Sequence, residues 1–197
     1  MRPIKILKAD ESNIQKAKDI LLDGGIVAHA TETCYGFACD MSNQKSIERL
    51  FKIKDRPADA PVSALFNNVD DSNKYVKWSP DALALANEHL PGPVTIILPI
   101  IDDIKIFPTP KGGTTLGIRV SPHPVALDLT NGLNIPLCTT SANIHRQPNT
   151  YSAEEICDQF KNSDNVPDLI LDSGKLEKNS PSKVISFIKD SPQVLRS

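Results

Sequence analysis

Short apolar runs, each of strand length and each running into a polar or helix-patterned segment, constrain this chain more than any other feature. "IKIL", "GIVAHA", "PVSALF", "VTIILP", "LGIRV", "IPLCTT", "DLILD" and "KVISFI" all have this form. They are far below the roughly 20 apolar residues of a membrane span, and their β-branched content suits buried strands. Segments with helical spacing lie between them. Ile14, Ala17, Ile20 and Leu21 share one face before Gly24 and Gly25, with Ser12 and Gln15 in a capping-box pattern at the start. The stretch "GIVAHATETCYGFACD" reads as a buried strand running into a turn, followed by a second helix carrying Ile47, Leu50 and Phe51. Ser79 and Pro80 open a third helix, "HPVALDLTNG" supplies a fourth closed by Asn131 and Gly132, and Ser152 with Glu155 caps a fifth. Interleaved in this way, the elements predict an α/β or α+β class with one mixed, twisted sheet.

A chain of 197 residues, 40% hydrophobic and 23% charged, is long enough to bury a substantial core without staples. With no internal repeat and no linker-like run, one domain spanning 1–197 is expected. A net charge of -2 excludes a generally cationic surface, although it permits a local basic pocket. Cys34, Cys39, Cys138 and Cys157 lack C-x-x-C spacing and read as reduced core thiols, which suits a reducing compartment. "MRPIKILKADES" has no signal-peptide h-region, so the expected location is cytoplasmic, with no membrane association.

Three polar stretches follow apolar strands: "ATETCYG" at 30–36, "GIRVSPHP" at 117–124 and "TTSAN" at 139–143. In α/β sheets the crevice beyond the strand ends is the usual ligand position, which makes these stretches candidates for one shared pocket. Thr31 and Thr33 either cap their own turn or face that pocket. Arg119, between Ile118 and Val120, either points to solvent or pairs with an anion, and its fork suits a carboxylate.

"KIKDRPADAP" sets Lys52, Lys54 and Arg56 just before Pro57. Pro57 disfavours helical geometry at Arg56, so the helix is expected to end near Lys54 and the next residues to be extended. Lys54 and Arg56 would then project together, with Asp55 pointing elsewhere. Two readings remain open: a cationic helix end complementing the dipole, or a phosphate clamp. No P-loop, G-x-G-x-x-G, H-E-x-x-H or G-x-S-x-G pattern is present, and no histidine pair has metal-ligand spacing. Any nucleotide would have to be held by cations and hydroxyls.

In order, "ATETCYGF", "KIKDRP", "LPGPVTIIL", "LGIRVSPHP", "PLCTTSAN" and "VLRS" closely resemble the YrdC family of threonylcarbamoyl-AMP synthases, nearly end to end. The most specific parts are the K-x-R pair Lys54 and Arg56 combined with the S-x-N pair Ser141 and Asn143. The resemblance implies an open twisted sheet around a large, partly basic cavity. It implies that L-threonine, bicarbonate or carbon dioxide, and ATP give threonylcarbamoyl-AMP and pyrophosphate. A partner transferase then modifies tRNA next to the anticodon. It further implies Lys54 and Arg56 on the phosphates as catalytic groups, and Thr31, Thr33, Arg119 and Thr139 on threonine. Thr115, Ser141, Asn143 and Arg196 complete the ATP site, with magnesium carried on the ATP phosphates and no metal ligands from the protein.

The chain departs from the family at several places. Ala60 stands where lysine is frequent, Leu65 where histidine is, His145 and Arg146 follow Ile144 in place of Ser-Gly, and Lys183 replaces a threonine. Arg146 and Lys183 are candidate replacements for the lost cation. With Ser197 as the last residue, the extra C-terminal domain of longer members is not expected. A non-catalytic module binding tRNA or ribosomal RNA, including double-stranded RNA, is the alternative, set against net charge -2 and few aromatic residues for stacking.

Overall fold

The computed structural model describes residues 3–189 and 191–197. In chain order its elements are β1 (Lys5–Lys8), α1 (Glu11–Leu22), β2 (Val27–Ala30), β3 (Tyr35–Asp40), α2 (Gln44–Lys54), β4 (Ser63–Leu65), α3 (Pro80–His89), β5 (Val94–Pro99), β6 (Thr115–Arg119), α4 (Pro124–Thr130), β7 (Leu137–Ser141), α5 (Ala153–Phe160), β8 (Leu169–Asp172), β9 (Lys183–Ser186) and β10 (Gln193–Arg196). The strands form one open sheet in the order β1-β8-β2-β3-β7-β4-β6-β5-β9-β10. β1–β8, β8–β2, β4–β6 and β5–β9 pair in parallel, and the other neighbours are antiparallel. The mixed sheet predicted from the interleaved runs is therefore present.

Side chains alternate between the faces of a strand, and here the two faces differ sharply. Tyr35, Phe37, Cys39, Ala64, Ile96, Leu98, Leu116, Ile118 and Cys138 turn to one face, where they join residues of α2, α3 and α5 in the larger core cluster. The ring of Phe37 meets Phe160 edge-on at 5.7 Å between centroids, locking α5 to the sheet. On the opposite face, Val27, Ala38, Leu65, Leu137, Leu169 and Leu171 pack under Ile14, Ala17 and Leu21 of α1 and Val125, Ala126 and Leu129 of α4. These two helices cover the β1–β8–β2–β3 side of that face. The β7–β4–β6–β5–β9 side carries small and polar residues instead, and there the site lies.

Local chemistry explains the boundaries. Ser79 accepts from Ala82 N at 3.2 Å with Pro80 at the first helical position, and Ser152 accepts from Glu155 N at 3.2 Å, both as predicted. The capping box predicted at Ser12 does not form. Asp10 is the N-cap of α1, its carboxylate accepting from Asn13 N at 3.0 Å, and Ser12 lies inside the first turn. A charged acceptor two positions earlier complements the helix N-terminus better than a hydroxyl. The stretch "GIVAHATETCYGFACD" contains two strands rather than one, because β2 and β3 pair across the turn at 31–34. Buried on both faces, β3 has no polar alternation to announce it.

The thiols of Cys34, Cys39 and Cys138 are buried and that of Cys157 is half-buried, all four free. Among the described residues no helix is long and apolar enough to cross a membrane.

Asp168 ties three segments together just before β8. Its carboxylate accepts from Ile26 N at 2.8 Å and pairs with both terminal nitrogens of Arg49 on α2. Replacing Asp168 with alanine strands the Ile26 N–H and leaves Arg49 only its bond to Val166 O, and should lower unfolding stability by about 1–3 kcal/mol. Urea denaturation measures this; a change below about 0.5 kcal/mol, the size of an ordinary surface substitution, would contradict it.

Candidate functional site

The uncovered part of the sheet forms the floor of a cavity of about 400 Å³. Gly36, Ser63, Thr95, Ile97, Thr115, Gly117, Arg119, Thr139, Ser141, Val184 and Arg196 line it from seven strands. Most are small, and their size leaves the space. At Gly117 a Cβ would lie 2.5 Å from the Ser63 hydroxyl and 3.0 Å from the Thr95 methyl, so glycine lets these neighbours meet over the floor.

Of the residues singled out from the sequence, Thr31, Thr33, Arg56, Thr115, Arg119, Thr139, Ser141 and Arg196 line this one cavity. Residues far apart in the chain meet there because β3, β7, β4 and β6 are neighbours in the sheet. Thr31 combines both readings left open above. Its hydroxyl donates to Cys34 O at 2.6 Å and accepts from Thr33 N and Cys34 N at 3.3 Å, which fixes the turn, while Thr33 Oγ1 sits 3.1 Å away.

Lys54 and Asn143 are placed differently from the expectation. Lys54 is the last residue of α2, and the chain does not become extended there: Asp55 takes the left-handed conformation, φ 49°, as the C-cap. Lys54 and Arg56 consequently diverge. Lys54 is 1% exposed and donates to Ser141 O, to Asn143 O at 2.8 Å and to Asn143 Oδ1 at 3.3 Å. Burial, followed by the nearby Arg56 cation, pushes its ammonium down to about 7, while the three oxygen acceptors favour the charged form. Asn143 is saturated within its own loop. Its amide donates to Ile144 O at 3.0 Å and Gln147 O at 2.5 Å, and its carbonyl oxygen also accepts from Ser141 Oγ at 2.5 Å. The two residues hold the wall at the end of β7 from behind, and neither lines the cavity.

Arg56 does line it, with Nε donating to Ala60 O and an Nη to Pro61 O, both at 2.7 Å. Arg196 donates to Ser182 O at 2.8 Å and to Ser182 Oγ at 2.9 Å, and Ser182 Oγ in turn meets Thr95 Oγ1 at 3.1 Å. Burial pushes both guanidinium groups below the ordinary arginine value, and for Arg196 the Arg119 cation adds to the effect. Three arginines thus converge on one cavity, an arrangement that suits anions.

Arg119 does not point to solvent. It pairs with Glu32, both side chains being largely buried at 12% and 14% exposure, and Ser121 Oγ donates to the second Glu32 oxygen at 2.5 Å. Glu32 stands inside the Thr-Glu-Thr run at 31–33, but its role is not legible in the sequence because its partner lies 87 positions away. Ser63, Thr95, Asn149 and Ser182 were missed as well, since isolated hydroxyls and amides carry no local pattern. The positions where the chain departs from the YrdC pattern mostly avoid the cavity. Leu65 is a core residue, Ala60 offers its carbonyl to Arg56, and neither Arg146 nor Lys183 lines the wall. Lys183 is exposed between the lining residues Ser182 and Val184.

The family model described as "Telomere recombination", for Sua5, YciO and YrdC proteins, matches residues 19–197. Threonylcarbamoyl-AMP synthase of Hydrogenovibrio crunogenus is 32% identical over 152 residues, covering 75% of this chain and 81% of that protein. A putative threonylcarbamoyl-AMP synthase of Methanocaldococcus jannaschii is 31% identical over 196 residues, covering 94% and 89% respectively. The crystal structure of P. abyssi Sua5 complexed with L-threonine superposes with a TM-score of 0.86 at 28% identity, over 99% of this chain and 57% of that one.

Behind the turn at 31–34, His29 is fully buried; its Nδ1 lies 3.0 Å from Ala30 O and its Nε2 has no partner. Desolvation, the largest cause, lowers its pKa to about 4. The unfolded chain, with histidine near 6.5, binds more protons between these values, so stability should fall as pH drops from about 6.5 to about 4. His29→Phe should flatten that segment of a melting-temperature profile against pH. An unchanged slope would contradict the neutral buried imidazole.

Proposed function

Because the chain belongs to the Sua5/YciO/YrdC family, we propose that it is a threonylcarbamoyl-AMP synthase, a nucleotidyl-transferring enzyme. The observation that carries this reading is the cavity itself: small, hydroxyl-rich and ringed by three arginines on one face of the sheet. Its volume lies within the roughly 300–1,000 Å³ of small-molecule sites. The relative from Hydrogenovibrio crunogenus is named a threonylcarbamoyl-AMP synthase and one structural neighbour is complexed with L-threonine, which supports the same assignment.

The chemistry needs no protein nucleophile. The amine of threonine takes up carbon dioxide derived from bicarbonate, forming the N–C bond of a carbamate with loss of a proton. A carbamate oxygen then attacks the α-phosphorus of ATP; the new P–O bond gives threonylcarbamoyl-AMP as the bond to pyrophosphate breaks. The protein has to bring two anions together and compensate charge on the leaving group. Arg119 is the group for the threonine carboxylate, with Thr31, Thr33 and Thr139 beside its amine and hydroxyl. Arg56 and Arg196 face the polyphosphate, and Ser141 and Thr115 face the nucleotide. Lys54 and Asn143 act by holding the β7 end that presents Ser141. Cys34 also lines the cavity, but burial raises its thiol pKa, which removes it as a thiolate.

No group of three or more His, Cys, Asp or Glu side chains that could hold a metal comes together among the described residues. Magnesium, a hard cation with oxygen ligands, would travel on the ATP phosphates. The product is a reactive mixed anhydride, which a separate threonylcarbamoyl transferase would pass to tRNA in the cytoplasm. The RNA-binding alternative is weaker. Among the described residues no aromatic side chain lines the cavity to stack a base, and the arginines line a pocket too confined for a duplex.

Pyrophosphate release from ATP, with and without L-threonine and bicarbonate, tests the reading. Wild-type protein should show threonine-dependent release, and Arg56→Ala should reduce it by roughly a hundredfold. No threonine-dependent release from wild type would end the synthase assignment. Full activity in Arg56→Ala would end only the phosphate role of that residue.

A further inference from the structure

Glu32 is a largely buried carboxylate that lies beside the cavity, between the lining residues Thr31 and Thr33, and its hydrogen bonds show how it is used. One oxygen takes an Nη of Arg119, while the other is occupied by the Ser121 hydroxyl at 2.5 Å. Ser121 is itself fixed, accepting from His123 N at 3.2 Å. Glu32 therefore grips Arg119 through one oxygen, with the other turned to Ser121, and does not close the two-point fork that arginine and carboxylate prefer. The Arg119 Nε is buried without a partner. The main-chain oxygen of Glu32 accepts from Asn179 Nδ2 at 2.9 Å, which joins this turn to the segment that brings Pro181 and Ser182 to the cavity.

We propose that Glu32 is a positioning residue: held by Ser121, it sets the plane of the Arg119 guanidinium and leaves the remaining donors for the carboxylate of the amino-acid substrate. This rests on the synthase reading above. A free arginine side chain samples many rotamers, and a buried guanidinium without a counter-charge is costly. Pairing with Glu32 supplies the counter-charge and orders the side chain before substrate binds. Ser121 in turn keeps Glu32 from competing with the substrate for the whole fork.

The test separates the two substrates kinetically. In Glu32→Ala, KM for L-threonine should rise about tenfold or more, while KM for ATP changes less than about threefold. Glu32→Gln, which keeps an acceptor toward Arg119 and can donate to Ser121, should recover most of the threonine affinity. Ser121→Ala frees the second carboxylate oxygen for a two-point grip and should also raise threonine KM, with kcat at saturating threonine retained. If Glu32→Ala fails to fold, as a thermal melt would show, the Gln and Ser121 variants decide the matter. An unaltered threonine KM in folded Glu32→Ala or in Ser121→Ala overturns the inference, as does an equal rise for both substrates. A wild-type protein without threonine-dependent pyrophosphate release overturns the synthase reading itself; active wild type with an indifferent Glu32 overturns only the positioning role.

Discussion

Everything in this structure depends on the two-residue period of its central strands. One set of alternating positions, running through Phe37, Ala64, Ile96, Ile118 and Cys138, is apolar and fully or almost fully buried. The other set, running through Gly36, Ser63, Thr95, Gly117 and Thr139, is small or hydroxylated. Burial of the first set supplies the hydrophobic driving force that fixes register, since a one-residue slip would exchange the two faces. The second set is thereby compelled to line a cavity. The core and the site are opposite sides of the same strands, so the floor is rigid because the core beneath it is close-packed.

At the edges of that floor, charged groups are anchored by residues that do not themselves face it. Lys54 inserts a buried ammonium between the end of α2 and the loop after β7, joining the carbonyls of Ser141 and Asn143. Such a cation is unfavourable to bury unless every donor has an acceptor, which makes the loop conformation and the helix end mutually dependent. Glu32 has the equivalent place opposite Arg119. In both cases a charge conspicuous in sequence is oriented by, or orients, a partner that sequence reading cannot pair with it.

Fold class was readable because it rests on local patterns: apolar runs, helical spacing, and Ser79–Pro80 and Ser152 as caps. Where local signals competed, the reading failed, as when Asp10 took the cap assigned to Ser12. It failed again where burial on both faces erased the alternation of Tyr35–Asp40. The cavity residues were found mainly through ordered motifs whose spacing matches the YrdC pattern, and eight of the ten so named do line it. Of the two exceptions, Lys54 reaches across to the loop after β7 and Asn143 folds back on that same loop, pairings that nothing local in the sequence announces. Ser63, Thr95 and Ser182 were hidden because a hydroxyl in a strand becomes part of a site only through its neighbours across the sheet.

Isotope tracing gives the most direct test of the central claim that this polar face joins threonine, carbon dioxide and an adenylate. Purified protein is incubated with ATP, L-threonine and ¹³C-bicarbonate, and the nucleotides are resolved by mass spectrometry. The account predicts an adenylate carrying both threonine and one ¹³C carbon, formed only when all three substrates are present. Recovery of ATP unchanged, or AMP formed without threonine and without label in any adenylate, would contradict it.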